Sequence, residues 1–273
     1  MDPCTEAASK GDLELLKTLR RWDVRTTREA AKNGHLHVLK WLNESGCSWD
    51  YTSCQEAVKY NHFEILKWLR DNGCPWHSCL TTEACKNGNL EILKWLIEND
   101  CRWSHNATEE CCFNGHLDSL KWCMDNGARW STITFWKAAC GGNFEIMKWL
   151  KDNGCPYDES VTSAIAKNGN LEQLIWARKR GFPWDENVCS NAAINGHTNV
   201  LKWAKNNGCP WDNSTSTNLA SKNNLDLLKW VLLHSCPWDK FTLSASEMTG
   251  NEQVHEWLKI GGYYDDHPDQ YHR

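Results

Sequence analysis

Nothing in this 273-residue chain is built to cross a membrane, because it holds no run of about 18 apolar residues. The opening MDPCTEAASKGDLELL lacks the basic and apolar regions of a secretory signal, so the chain is expected to be cytoplasmic. No stretch rich in Pro, Gly or Ser separates one part from another, which excludes domains strung on flexible linkers. An excess of basic residues is also missing. The net charge is −5, and the composition of 41% hydrophobic and 24% charged residues is that of a folded chain rather than a disordered one. Fifteen Cys are present, yet none forms a C-x-x-C pair, and the adjacent Cys111 and Cys112 cannot chelate as a zinc knuckle does.

What the chain does have is one phrase said many times. Residues 87–103 read NGNLEILKWLIENDCRW, and residues 33–49 read NGHLHVLKWLNESGCSW. Trp41, Trp68, Trp95, Trp122, Trp149, Trp176, Trp203, Trp230 and Trp257 stand 27 residues apart without an insertion, and a tenth unit, KGDLELLKTLRRW, precedes them. A period of this size marks a solenoid or array, in which each unit leans on its neighbours.

Within a unit, take the apolar residue that heads the phrase as position zero: Leu36, Phe63, Leu90, Leu117, Phe144, Leu171. Positions two, three, five and six are mostly apolar too, an arc wider than the single buried stripe of a surface helix. Position one is usually acidic and position four usually Lys, and these fill the rest of the arc. A helix with a copy of itself on each side and another helix behind it has this pattern. Two residues before position zero stand only Gly or Asn, as at Gly34, Asn61, Gly88 and Gly115, the residues that end a helix in the left-handed conformation. A second Gly column, broken at Asp100 and Ser235, closes the second helix. Pro75, Pro156, Pro183, Pro210 and Pro237 follow it, and Asp50, Asp158, Asp185, Asp212 and Asp239 suit the cap of the next first helix. Small pairs such as Ala7-Ala8 and Ala30-Ala31 let the first helices approach closely. The unit is helix, tight turn, helix, loop.

The order A-A/C-x-N-G-H-L-E-I-L-K-W-L-x-x-x-G-C, running from about Glu6 to Gly262, resembles the ankyrin repeat. The period of 27 is shorter than the ankyrin period of about 33, and the missing residues fall where ankyrin repeats project a β-hairpin finger. The Thr-Pro-Leu-His opening of the ankyrin first helix is also absent. The chain is most similar to the short, Trp-rich ankyrin-like repeats of large DNA viruses of protists, and of oomycetes and algae. A leucine-rich repeat would need strand-like alternation, whereas LEILKWL has helical spacing. The resemblance implies an all-α, ankyrin-like helical solenoid of about ten helix–turn–helix repeats with reduced or absent β-hairpin fingers. It implies binding rather than catalysis, in the host cytoplasm if the source is viral. The expected organisation is a single array over residues 1–262, capped by repeats at about 1–23 and 240–262, with a frayed tail at 263–273.

The candidate chemistries yield to this architecture. Cys47, Cys74, Cys101, Cys155, Cys209 and Cys236 share one repeat position, replaced there by Ala128 and Phe182, and read as small buried hydrophobes. Neighbouring helices about 8–10 Å apart are beyond disulfide reach, and so many free thiols fit a reducing compartment. His35, His62, His116 and His197 sit in the turn, where they bond backbone groups. No Ser–His–Asp or paired-carboxylate arrangement breaks the periodicity, so no catalytic residue, cofactor or metal is expected and the chain is read as a non-enzyme.

Recognition then falls to residues that do not repeat. Two first-helix columns four residues apart vary most and share one face: Tyr51, Ser78, His105, Thr132 and Glu159, and Gln55, Thr82, Glu109, Trp136 and Ser163. In ankyrin-like arrays that face lines the concave groove, so the chain is read as a monomeric scaffold for a protein partner. Trp136 stands outside the regular Trp columns, as local core filling or as an interface anchor. The alternative is nucleic-acid or other polyanion binding through the Lys ladder of the second helices, such as Lys67, Lys94, Lys121 and Lys148. Each of these Lys follows an acid by three residues, an arrangement that supports a helix by local pairing. The Trp columns read as packing between repeats rather than as stacking platforms for single strands.

Overall fold

In the computed structural model, residues 2–19 and 21–260 are described. All regular structure among them is helical, and the chain groups into two compact units, Met1–Trp130 and Ser131–Arg273. The first holds α1 (Pro3–Lys10), α2 (Leu13–Thr18), α3 (Val24–Lys32), α4 (Leu36–Glu44) and α5 (Tyr51–Lys59). It continues through α6 (Phe63–Asp71), α7 (Cys79–Asn87), α8 (Leu90–Glu98), α9 (Ala107–Asn114) and α10 (Leu117–Asp125). The second holds α11 (Thr132–Cys140), α12 (Phe144–Asp152), α13 (Ser160–Lys167), α14 (Leu171–Lys179) and α15 (Glu186–Ile194). It continues through α16 (Thr198–Asn206), α17 (Asn213–Ser221), α18 (Leu225–Leu233), α19 (Lys240–Met248) and α20 (Glu252–Ile260). The tail 263–273, and Gly262 before it, lie outside the described residues.

Each odd-numbered helix and the even one after it form a repeat, and each unit is a helical solenoid. Within each unit, successive first helices pack close, α1 on α3 through to α9, and α11 on α13 through to α19. The second helices stand further from one another. The small pairs explain the difference: Ala7, Ala8, Ala30, Ala31, Ala192 and Ala193 are fully buried and keep no bulk between the backbones. On the second helices the core is made by positions two, three and six, as in Ile92, Leu93 and Leu96, all inaccessible to solvent. Positions zero and five are half-buried, so the buried arc is narrower than the apolar pattern implies.

The borders follow the expected chemistry. Asp23, Asp50, Asp185, Asp212 and Asp239 each accept a backbone N–H in the first turn of the helix they precede, leaving fewer amides unsatisfied. The Gly or Asn at the turn inside each repeat takes positive φ, +67° at Gly88, +85° at Gly115 and +61° at Asn61. Glycine also leaves room. A Cβ at Gly11 would lie 2.8 Å from the His35 ring of the next repeat, and one at Gly88 would overlap the ring of His116. Those His rings join one repeat to the one before. The Nε2 of His35 bonds the Ser9 carbonyl at 3.1 Å, that of His62 the Lys32 carbonyl at 3.0 Å, and that of His116 the Lys86 carbonyl at 3.0 Å. A carbonyl only accepts, so Nε2 carries the proton. In the second unit His197 does the same to Lys167 at 3.0 Å.

The aromatic columns also join repeats. The loop Trp of one repeat meets the second-helix Trp of the next edge to face or tilted, with Trp22–Trp41 centroids 5.0 Å apart, Trp49–Trp68 5.6 Å and Trp76–Trp95 5.4 Å. The second unit repeats this at Trp184–Trp203 and Trp211–Trp230, both 6.1 Å. Where Tyr157 takes the loop place, it stacks on Phe182 at 4.1 Å, in a cluster with Phe135. The Trp columns are inter-repeat packing.

Candidate partner-binding face

The surface can be sorted by what each column already touches. Within the Lys ladder, Lys67 pairs with Glu64 at 2.7 Å and Lys148 with Glu145 at 2.8 Å. The same ammonium groups lie over Phe63 and Phe144, 4.2 and 4.1 Å from the ring centroids. Lys202 and Lys229 lie over Trp230 and Trp257, each at 5.4 Å. At the ends of the second helices, Arg70, Arg178 and Lys205 cover Trp76, Trp184 and Trp211 within 4.2 Å. These cations are engaged within their own repeat or with the next one.

The Cys column is equally occupied. Cys74, Cys209 and Cys236 are buried, and their Sγ donate to the carbonyls of Asp50, Asp185 and Asp212 at 3.2, 3.4 and 3.5 Å. Burial pushes the Cys155 and Cys236 thiols up to about 12 and the Cys101 thiol up to about 11, so they stay protonated and unreactive at neutral pH.

The ten first-helix positions are different. Tyr51, His105, Thr132, Trp136 and Glu159 are exposed, and Gln55, Ser78, Thr82, Glu109 and Ser163 half-exposed. In the first unit the face is polar. The Gln55 amide donates to Glu83 Oε1 at 3.1 Å, and the Tyr51 ring sits 5.2 Å from that of His77. Glu56 and Glu83, one residue on from the variable column, each keep Oε2 buried with no hydrogen-bond partner. Sequence reading passed over these two acids because they recur at the repeat spacing, as Glu29, Glu56, Glu83 and Glu110. On α11, in the second unit, the face turns apolar. Phe135 is fully buried and fills the core, while Trp136 and Ile133 are 37% and 50% exposed. With Thr132, Asp158 and Ser160 they line a recess of about 240 Å³. Trp136 is not a core residue.

Ankyrin repeats in three copies are the family whose model matches, over residues 28–108 and 56–134. Over residues 28–134 these are ankyrin repeats. The helix pair, the closing glycine and the 27-residue spacing of the matched stretch continue through the other repeats of the chain. Among solved structures, the human ASB11 ankyrin repeat domain is similar at 24% identity and a TM-score of 0.48, over 57% of this chain and 85% of that one. The pentatricopeptide repeat protein PPR10, solved in complex with an 18-nt psaJ RNA element, is similar at 11% identity and a TM-score of 0.55, over 95% of this chain and 48% of that one. The present chain thus spans about half of PPR10, and the likeness is one of helical-repeat fold alone. A search of the curated proteins found no match.

Ankyrin repeats generally mediate protein–protein interaction, and among the described residues no helix is long and apolar enough to cross a membrane. The first helices of this chain carry the part of the surface that does not repeat.

Proposed function

We propose that this ankyrin array is a non-enzymatic scaffold that holds a protein partner against the face of its first helices. One observation carries the reading. The ten variable first-helix residues are exposed or half-exposed, while members of the regular Lys, Trp and Cys columns are engaged within or between repeats. The chemistry of each patch narrows the partner. On α5 and α7, the half-exposed Glu56 and Glu83 carboxylates beside the variable column favour Lys or Arg side chains. On α11, the recess beside Trp136 favours an apolar side chain. The protein is proposed to act as a monomer in a reducing cytoplasm, which its fifteen free cysteines support.

Site-directed photo-crosslinking in extracts of the protein's own cells tests this. A photoreactive residue at Thr82 or Tyr51 is expected to yield polypeptide adducts, and one at Lys94 or Lys121 to yield none. Nucleic-acid adducts at the Lys positions, with none at Thr82, would transfer the function to the Lys ladder.

A further inference from the structure

Three thiols that no spacing motif connects meet in the core of the first unit. Cys85 comes from α7, Cys111 from α9 and Cys123 from α10, and all three are fully buried. Their sulfurs lie within 4.8 Å of one another, with Cys85 and Cys123 3.7 Å apart. Two of the three are departures from the repeat. Where Cys111 stands, neighbouring repeats have Ala84 and Ala138; where Cys123 stands, they have Leu96 and Leu150. Both departures occur in the same repeat, and both meet Cys85 of the repeat before.

Thiolates select soft cations over Mg²⁺ or Ca²⁺. With metal–sulfur distances of about 2.3 Å, three sulfurs around one ion in a plane stand about 4.0 Å apart. One observed edge is 3.7 Å and the other two are within 4.8 Å, so closing the triangle takes shifts of less than about 1 Å. Zinc in a closed site wants four ligands. Among the described residues only these three ligand atoms converge, and all three side chains are closed to bulk solvent. Three sulfurs in a dry pocket suit Cu(I), a d¹⁰ ion satisfied by two or three soft donors.

We propose that Cys85, Cys111 and Cys123 form a trigonal Cu(I) site inside the array. Two thiol protons leave to solvent as the ion enters, so that two thiolates and one neutral thiol around Cu⁺ carry a net charge of −1. Loss of all three would bury −2, which the low-dielectric surroundings oppose. No electron is transferred. The ion enters when the helix pair opens locally, as repeat arrays do.

The full-length, reduced protein is titrated with Cu(I) anaerobically against a chromogenic Cu(I) chelator, with X-ray absorption at the copper edge. One equivalent per chain is expected to be held against the chelator, in an all-sulfur shell of three. Cys123→Leu and Cys111→Ala each restore the residue found in adjacent repeats, so both should keep the circular dichroism and melting of the parent. Each should weaken binding at least 10-fold. Retention of Cu(I) by both variants at parental affinity would overturn the proposal, as would tighter binding of Zn(II) than Cu(I). The other thiols of the chain remain in both variants and serve as the control for non-specific capture.

Discussion

Asp100 and Ser235 occupy, at the end of a second helix, the place that most other repeats give to glycine, and they adopt the same left-handed backbone, φ +64° and +63°. The turn geometry is therefore imposed by the repeat and not chosen by the residue. A side chain there costs about 1–2 kcal/mol, of which the looser unfolded chain of a glycine takes back a part. Asp100→Gly and Ser235→Gly are each expected to stabilise the protein by about 0.5–1 kcal/mol. Urea denaturation followed by circular dichroism checks this, and a midpoint that falls in both variants would show that those side chains hold the turn. The interruptions of the Gly column were visible in the sequence. That they keep the glycine conformation was not, because Asp and Ser adopt it only under the constraint of the flanking helices.

Between elements, the repeats are tied by bonds that the sequence pattern concealed. Thr27, Thr81, Thr108, Thr162 and Ser216 share one first-helix column, buried or nearly so. Thr108 Oγ1 donates to the Arg129 carbonyl at 3.0 Å, Thr162 Oγ1 to that of Pro183 at 2.8 Å, and Ser216 Oγ to that of Pro237 at 2.7 Å. Each fastens a first helix to the loop that closes the repeat. Cys54, Phe135 and Cys189 interrupt the column, and a single Thr in a helix is locally unremarkable, so sequence reading passed over it. Thr162→Val keeps the shape and removes the hydroxyl, leaving the Pro183 carbonyl without this donor. The expected loss is about 1–2 kcal/mol in chemical denaturation. Thr82→Val, half-exposed on the same helix layer, should change stability by less than about 0.5 kcal/mol. Equal effects would show that the buried hydroxyl fastens nothing. The helix borders, by contrast, were legible almost residue for residue, since Leu90, Gly88 and Asp50 signal a start, an end and a cap by local chemistry alone. The Cys85–Cys111–Cys123 cluster lies at the other extreme. Its members come from three columns and 12 to 38 residues apart, so only three-dimensional packing reveals it.

For the molecule as a whole, periodicity identifies the scaffold and its interruption identifies the working surface. The same logic separates Phe135 from Trp136, adjacent aromatic residues of one helix: the first is inaccessible and belongs to the core, the second opens on a recess. The sequence left Trp136 between core and interface because both readings place a large ring on a first helix, and only its exposure distinguishes them. Partner identity had no local signal at all, since an array reads its ligand through scattered side chains. The central claim is that the first-helix face, not the Lys ladder, holds the partner. Its most direct test is the equilibrium affinity of the crosslinked partner, once purified, for the parent, Trp136→Ala and Lys94→Ala proteins at low and moderate salt. Trp136→Ala is expected to lose about 2 kcal/mol, roughly 30-fold, with its circular dichroism unchanged, while Lys94→Ala binds like the parent at both salt concentrations. Parental affinity in Trp136→Ala, together with a parental affinity that falls steeply with salt and a loss in Lys94→Ala that is largest at low salt, would contradict it.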